Sequence, residues 1–232
     1  FPCLAADAPS GAAANGRASR DDVSAVIIKN KAAGLKNPLA QMGADLDAEA
    51  IAASAYIADP IQLYDCCPVS DGAAAVVVTT PELADDAAAQ PLDVMAAVQT
   101  SGAPRIAGYK DMCSLGATVA ASAQALDEAG LGVDDLSLAE LHDCFSIAEI
   151  LNSEDLGLVP RGEGAAWAAE GRTGSDGDRP INPSGGLLAK GHPVGATGLG
   201  QLYEAAKQLR GTHSNQVRDA RFALTHNLGG AG

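Results

Sequence analysis

Hydrophobic and polar positions change rhythm along this chain in short blocks, and each block predicts its own element. Residues 1–20 are rich in Ala, Gly, Pro and Ser, follow no helical or strand period, and read as irregular. Ser19 with Asp22 three positions on forms a helix-start signal leading into residues 23–29. Residues 30–43 carry Gly34, Pro38 and Gly43 without a clean period and are expected to be loop with short helical turns. Residues 47–53 predict a short helix. The small residues 70–75 predict close packing, and Val76-Val77-Val78 after them predicts a buried strand. Residues 81–90 are acidic and alanine-rich, which predicts a short exposed helix, and Pro91 is expected to open a second structural unit.

That second unit alternates strand and helix signals. Residues 105–109 predict a strand. Residues 115–130 form the strongest helical pattern, with Val119, Ala123 and Leu126 on one face and Gly130 as the stop. Residues 136–141 predict a short apolar strand that ends at His142, and a helix follows over 145–151. Residues 162–183 read as a long polar connection. Leu187-Leu188 precede the glycine-rich stretch 191–200, residues 199–210 read as helix, and 222–225 as a last strand edge before the final glycines. Alternating β and α elements point to a layered α/β fold, and no internal repeat is visible.

Composition narrows the picture. At 232 residues with 47% apolar but only 3% aromatic side chains, the core must be built from Ala, Val, Leu and Ile, which favours close-packed helices on sheets. The formal charge of −14 argues against nucleic acid or an anionic membrane as the main partner, while leaving room for a polyanionic small molecule on a local patch. An acidic, lysine-poor chain suits a high-salt cytoplasm, and a high-GC genome yields the same composition. The five cysteines, at 3, 66, 67, 113 and 144, include no C-x-x-C spacing, so neither a metal site nor a disulfide framework is expected. No apolar run reaches membrane-spanning length and no secretory leader is evident, so a cytoplasmic protein is expected.

Two segments carry candidate chemistry. His142-Asp143-Cys144-Phe145 falls where a strand hands over to a helix, the place where α/β proteins bind ligands. The helix start there favours a thiolate or an oxyanion, and Asp143 is a candidate cap for that helix. A capped helix beside an inert buried cysteine is the competing reading. The second segment joins Asn182-Pro183-Ser184-Gly185-Gly186 to Lys190-Gly191-His192-Pro193, holding His192 on a preset backbone suited to general-base work. A structural turn with an incidental histidine competes with it. His226-Asn227-Leu228-Gly229-Gly230 is a weaker candidate, whose glycines allow close approach to backbone amides. Lys29-Asn30-Lys31 and Lys36-Asn37-Pro38 could meet a phosphate, but a solvated loop is favoured; Cys66-Cys67 is read as core filling. Trp167 and His213 sit in no motif.

Taken together, these segments resemble the thiolase superfamily, in the branch of sterol-carrier-protein-linked thiolases and archaeal acetyl-CoA acetyltransferases. Lys29-Asn30, Asn37-Pro38, Ser70-Asp71-Gly72-Ala73-Ala74, His142-Asp143-Cys144-Phe145, the stretch from Asn182 to His192-Pro193 and the stretch from His226 to Gly232 carry the resemblance. It implies a layered α/β/α/β/α sandwich, incomplete at the N-terminal half. Residues 1–65 would be the remainder of a loop domain, 66–90 the closing elements of the first half, and 91–232 the second half.

The resemblance also implies roles. His192 would take the proton of a nucleophilic cysteine and help bind a thioester oxygen. His142 would hold a water or stabilise an oxyanion. Cys144 would move the α-carbon proton, because the late C-x-G cysteine of the main branch corresponds here to His226. Asn182, His226 and Gly230 would bind substrate or oxyanion. The expected chemistry is Claisen condensation or thiolysis of 3-ketoacyl-CoA, with coenzyme A thioester as substrate and no resident cofactor. A thiolase-like aldolase acting on CoA-ester side chains and a non-catalytic subunit are the alternatives; His142 and Cys144 favour the thiolase. Expected partners are acyl-CoA, a second copy of the chain or a complementary N-terminal thiolase piece, and an OB-fold, zinc-ribbon protein. The acylated cysteine of such enzymes is expected upstream of Phe1.

Overall fold

The computed structural model describes residues 20–84, 90–103, 108, 111 and 113–229. Its first element, helix α1 (Arg20–Lys36), is one continuous helix. This corrects the expected loop after residue 29. Val23, Val26, Ile27, Asn30, Lys31 and Ala33 all lie on its buried side at helical spacing, so two polar residues hid the period. Each is paired inside. Lys31 Nζ donates to the Leu188 carbonyl at 2.7 Å, and Asn30 Nδ2 donates to Asp143 and Glu149 at 2.9 and 2.7 Å. Lys29 Nζ donates to the Ile181 carbonyl and pairs with Glu149 at 2.8 Å. Lys29, Asn30 and Lys31 are therefore an internal brace and no solvated loop, whereas Lys36 is exposed, its Nζ donating to Asn215 Oδ1 at 3.2 Å.

Helix α2 (Ala48–Ala52) starts at Asp47, whose carboxylate accepts from the Ala50 amide. A small antiparallel hairpin follows, β1 (Tyr56–Ala58) against β2 (Ile61–Gln62). Val76, Val77 and Val78 form no strand; Val77 is 94% exposed. A buried strand needs hydrogen-bonded neighbours and covered faces, and no described segment supplies them there. Helix α3 (Pro81–Ala84) is exposed as expected, while the predicted strand at 105–109 falls largely outside the described residues.

Helix α4 (Gly116–Ala129) ends on left-handed Gly130 as the sequence suggests, but its inward face is polar. Thr118 and Ser122 are buried and Val119 is exposed. Ser122 Oγ donates to the Leu156 carbonyl, so short hydroxyls let the helix sit close to its neighbours. Strand β3 (Leu138–Glu140) then runs parallel to β4 (Ala223–Thr225), with Leu138 opposite Ala223 and Glu140 opposite Thr225. On its other side Ala139 bridges Ile181, also in parallel. The carboxyl ends of three parallel segments thus lead to His142, His226 and Asn182.

Helix α5 (Ser146–Asp155) follows β3 and is buried on nearly every side. The expected polar connection contains helix α6 (Gly164–Ala169), packed on α1. Helix α7 (Gly186–Lys190) carries buried Leu187 and Leu188, and α8 (Thr197–Leu209) closes the structure against β4. The main core joins Val26 and Ile27 of α1 to Ile147, Ile150 and Leu151 of α5, Ala165 and Ala168 of α6, and Leu188 of α7. A second cluster, with Leu136, Leu141 and Ile181, backs the parallel strands.

Candidate active site

His142 leaves the carboxyl end of β3 and Phe145 begins α5, so the His142–Cys144 turn is held between the two. Asn152 of α5 donates to the His142 carbonyl at 3.1 Å and Asn182 Oδ1 accepts from the Leu141 amide at 2.7 Å, which fixes the backbone on both sides. Asp143 does not cap α5. Its carboxylate accepts from the Leu187 and Leu188 amides at the start of α7 and from Asn30, with no exposed surface. Gly186 permits this contact, since a Cβ there would collide with the carboxylate. Burial, then the charge of Glu149, holds the Asp143 carboxyl above its ordinary range.

His192 follows Lys190 and Gly191. Gly191 has φ of 105°, and a Cβ would lie 2.5 Å from Ser70 Oγ, so only glycine fits. His192 Nδ1 lies 2.7 Å from Thr197 Oγ1, which donates its one proton to the Pro193 carbonyl at 3.1 Å. A carbonyl only accepts, so Thr197 must accept from Nδ1–H, and Nε2 keeps the lone pair. The His142 and His192 rings meet edge to face with centroids 4.8 Å apart. Both rings line a cavity of about 450 Å³ together with Cys144. Its walls are otherwise mostly apolar, with Ile57, Phe145, Val194 and Leu228 among them.

Burial sets the protonation states here. The Cys144 thiol is pushed up to about 12 by burial, then by the Cys67 thiol and the Asp143 carboxylate. The expected thiolate-favouring helix end is therefore outweighed, and Cys144 rests as a thiol. Burial pulls His142 down to about 4, and His192 is lowered for the same reason. His226 also falls to about 4, through burial and then the nearby His142.

The predicted residues do not all converge. His142, Cys144 and His192 do, and His226 lies behind His142, with Nε2 3.2 Å from Thr118 Oγ1 and Nδ1 without a partner. Asn182 lies elsewhere: it is buried and does not line this cavity, its Oδ1 accepts from the Leu141 amide and its Nδ2 donates to Glu149 at 2.6 Å. In these contacts it holds the strand ends. Gly230 lies outside the described residues; Gly229 lines the cavity. Cys66 and Cys67, expected as core filling, line the cavity as well, because Cys67 N donates to the Cys144 carbonyl and lays that segment beside the site. Thr197 and Asn227 stand in the glycine-rich candidate segments with no role legible for either, and Gln201 stands in no motif. Their signal is weak: Thr197 stands five positions after His192, and Asn227 adjoins His226. Among the described residues no group of three or more His, Cys, Asp or Glu could hold a metal ion, and no helix is long and apolar enough to cross a membrane.

Residues 99–232 match the family described as Thiolase C-terminal domain-like. The chain belongs to that family. It is 43% identical over 215 residues to the acetyl-CoA acetyltransferase of Methanothermobacter thermautotrophicus, covering 92% of this chain and 56% of that protein. It is 35% identical over 216 residues to the benzoylsuccinyl-CoA thiolase subunit BbsB of Thauera aromatica, with the same coverage. Human sterol carrier protein 2 is 37% identical over 207 residues, 87% of this chain and 38% of that one. The chain thus spans about half the length, or less, of these curated relatives. Among solved structures, the Ltp2-ChsH2(DUF35) aldolase superposes with a TM-score of 0.85 at 24% identity, over 96% of this chain and 59% of that one. The fold of this family member is therefore thiolase-like α/β.

Proposed function

We propose that this chain carries the acid–base portion of an acyl-CoA acyltransferase site, for thiolytic cleavage of 3-ketoacyl-CoA or the reverse Claisen condensation. The observation that carries the reading is the meeting of His192, His142 and Cys144 in one largely apolar cavity at the carboxyl end of β3. The nucleophilic cysteine would come from the part of a complete thiolase that this chain does not span. His192 Nε2, with its lone pair free, would accept that cysteine's proton, and the resulting imidazolium would donate to the thioester oxygen. Cys144, resting as a thiol, would act first as an acid. Cleavage of the carbon–carbon bond leaves a pair of electrons on the α-carbon of the departing acyl-CoA enolate, and the Cys144 S–H would supply its proton. In condensation the same sulfur, as thiolate, would remove that proton. The apolar wall strengthens each of these charge interactions by excluding water.

Acyl-CoA or CoA is the small-molecule partner on this reading, with no resident cofactor. The naming of one relative as a thiolase subunit, and of the structural neighbour as a two-part aldolase, supports work within a larger assembly. The decisive experiment combines the chain with the nucleophile-bearing region and follows thiolysis of acetoacetyl-CoA. His192→Ala should abolish it, and retained thiolysis in that variant rejects the role of His192. If the combined wild-type protein neither cleaves nor condenses acyl-CoA, the acyltransferase reading fails.

A further inference from the structure

Gln201 and Asn227 have no part in the chemistry above, yet they link a backbone carbonyl to His142. Gln201 is 0% exposed on α8, and its Nε2 donates to the His226 carbonyl at 3.3 Å. That carbonyl can only accept, so the Gln201 amide has one orientation and its Oε1 must face Asn227. Asn227 Nδ2 donates to this Oε1 at 2.5 Å, which turns Asn227 Oδ1 toward His142 Nδ1, 3.4 Å away. An amide oxygen accepts and cannot donate, so the hydrogen of the neutral ring belongs on Nδ1. Asn227 itself is exposed; the buried Gln201 is what holds its amide.

We propose that Gln201 and Asn227 are positioning residues that hold neutral His142 in its Nδ1–H tautomer, so that Nε2 offers the cavity a lone pair. The functional meaning rests on the acyltransferase reading; the tautomer does not. His192 is held in the same tautomer by Thr197, so the resting cavity presents two imidazole acceptors. A water or a thiol, each carrying protons to donate, is the kind of group such a pair receives. His142 then reaches an oxyanion through a water: the water donates one hydrogen to Nε2 and has the other left for the oxyanion. Of the two roles expected for His142, water-holding is the one this geometry selects.

Nitrogen-15 histidine correlation spectra of the chain near neutral pH test this, with the four ring systems assigned by single substitutions. His142 Nδ1 should read as pyrrole-type and Nε2 as pyridine-type. In Asn227→Leu and in Gln201→Leu the pyrrole-type signal should move to Nε2, the tautomer that free histidine prefers. Asn227→Asp, which keeps an acceptor, should retain it on Nδ1. If burial of Gln201 prevents its variant from folding, the two Asn227 variants still decide. A pyrrole-type Nε2 on His142 in the unaltered chain, or an unchanged Nδ1 signal in Asn227→Leu, overturns the proposal. The spectra need no turnover, so a chain with these tautomers but no thiolysis in the combined protein rejects the functional reading alone.

Discussion

The rings of His142 and His192 stand edge to face, 4.8 Å apart at 89°, although fifty positions separate them in the chain. One comes from the end of β3 and the other from the turn between α7 and α8. Each is tied from behind through Nδ1, so the nitrogens left for chemistry are the Nε2 atoms.

The tie on His192 runs through Thr197, and Thr197→Val keeps the shape while removing the acceptor. With the nucleophile-bearing region present, thiolysis should fall by about tenfold to a hundredfold, a part of what a positioned base supplies. Thr197→Ser should restore it. Unchanged turnover in the valine variant, with the fold intact by circular dichroism, would show that Nδ1 needs no partner.

Cys144 should resist thiol reagents. With its pKa near 12, only about one thiol in 10⁵ is ionised at pH 7, far below an ordinary exposed cysteine. Alkylation followed by peptide mass spectrometry should find Cys144 unlabelled in the folded chain and labelled once urea unfolds it. Rapid labelling of Cys144 in the folded chain would reject the buried-thiol state.

Acid should weaken the fold through His226. Its pKa falls from the ordinary 6.5 to about 4, so between those values the unfolded chain binds the proton and the folded one does not. Its contribution to stability is present above pH 6.5 and is lost as pH falls toward 4, up to roughly 3 kcal/mol. His142 acts in the same direction, whereas Asp143, raised by burial, favours the fold at low pH and opposes both. A difference measurement separates them: urea unfolding of His226→Gln should lose less stability than wild type between pH 6.5 and 4. Parallel curves for the two proteins would count against the shift.

Asn182→Ala should destabilise the fold without touching the cavity. It leaves the Leu141 amide without a partner, removes one of the three donors to the Glu149 carboxylate, which keeps Asn30 and Lys29, and places alanine at φ 52°. Together these cost about 2–4 kcal/mol, visible as a lower thermal midpoint. A midpoint within experimental error of wild type would restore a purely functional role for Asn182.

The extent to which the sequence revealed all this varies by element. Helices marked by caps and stops were readable: Asp47 opens α2 and Gly130 closes α4, because local hydrogen bonds and backbone sterics act within a few residues. Faces were not. Gln201, Glu204 and Gln208 of α8 are buried while Leu199 and Leu202 are exposed, which reverses the usual rule. Their polarity is satisfied by His226, His213 and Asn215, partners that the chain brings near only on folding. The same inversion in α1 disguised a helix as a loop.

The catalytic candidates divide along the same line. By itself the sequence determined the residue types and their local settings: a histidine between Gly191 and Pro193, and a His142–Cys144 turn between strand and helix. These depend on backbone geometry that neighbouring residues impose. Only the tertiary structure decided that His142, Cys144 and His192 share one cavity, that Asn182 does not, that Cys144 is a protonated thiol, and which nitrogen of each histidine is free. Proximity across the chain and burial come from packing, and protonation follows burial, so none of these exists before the strands and helices close together.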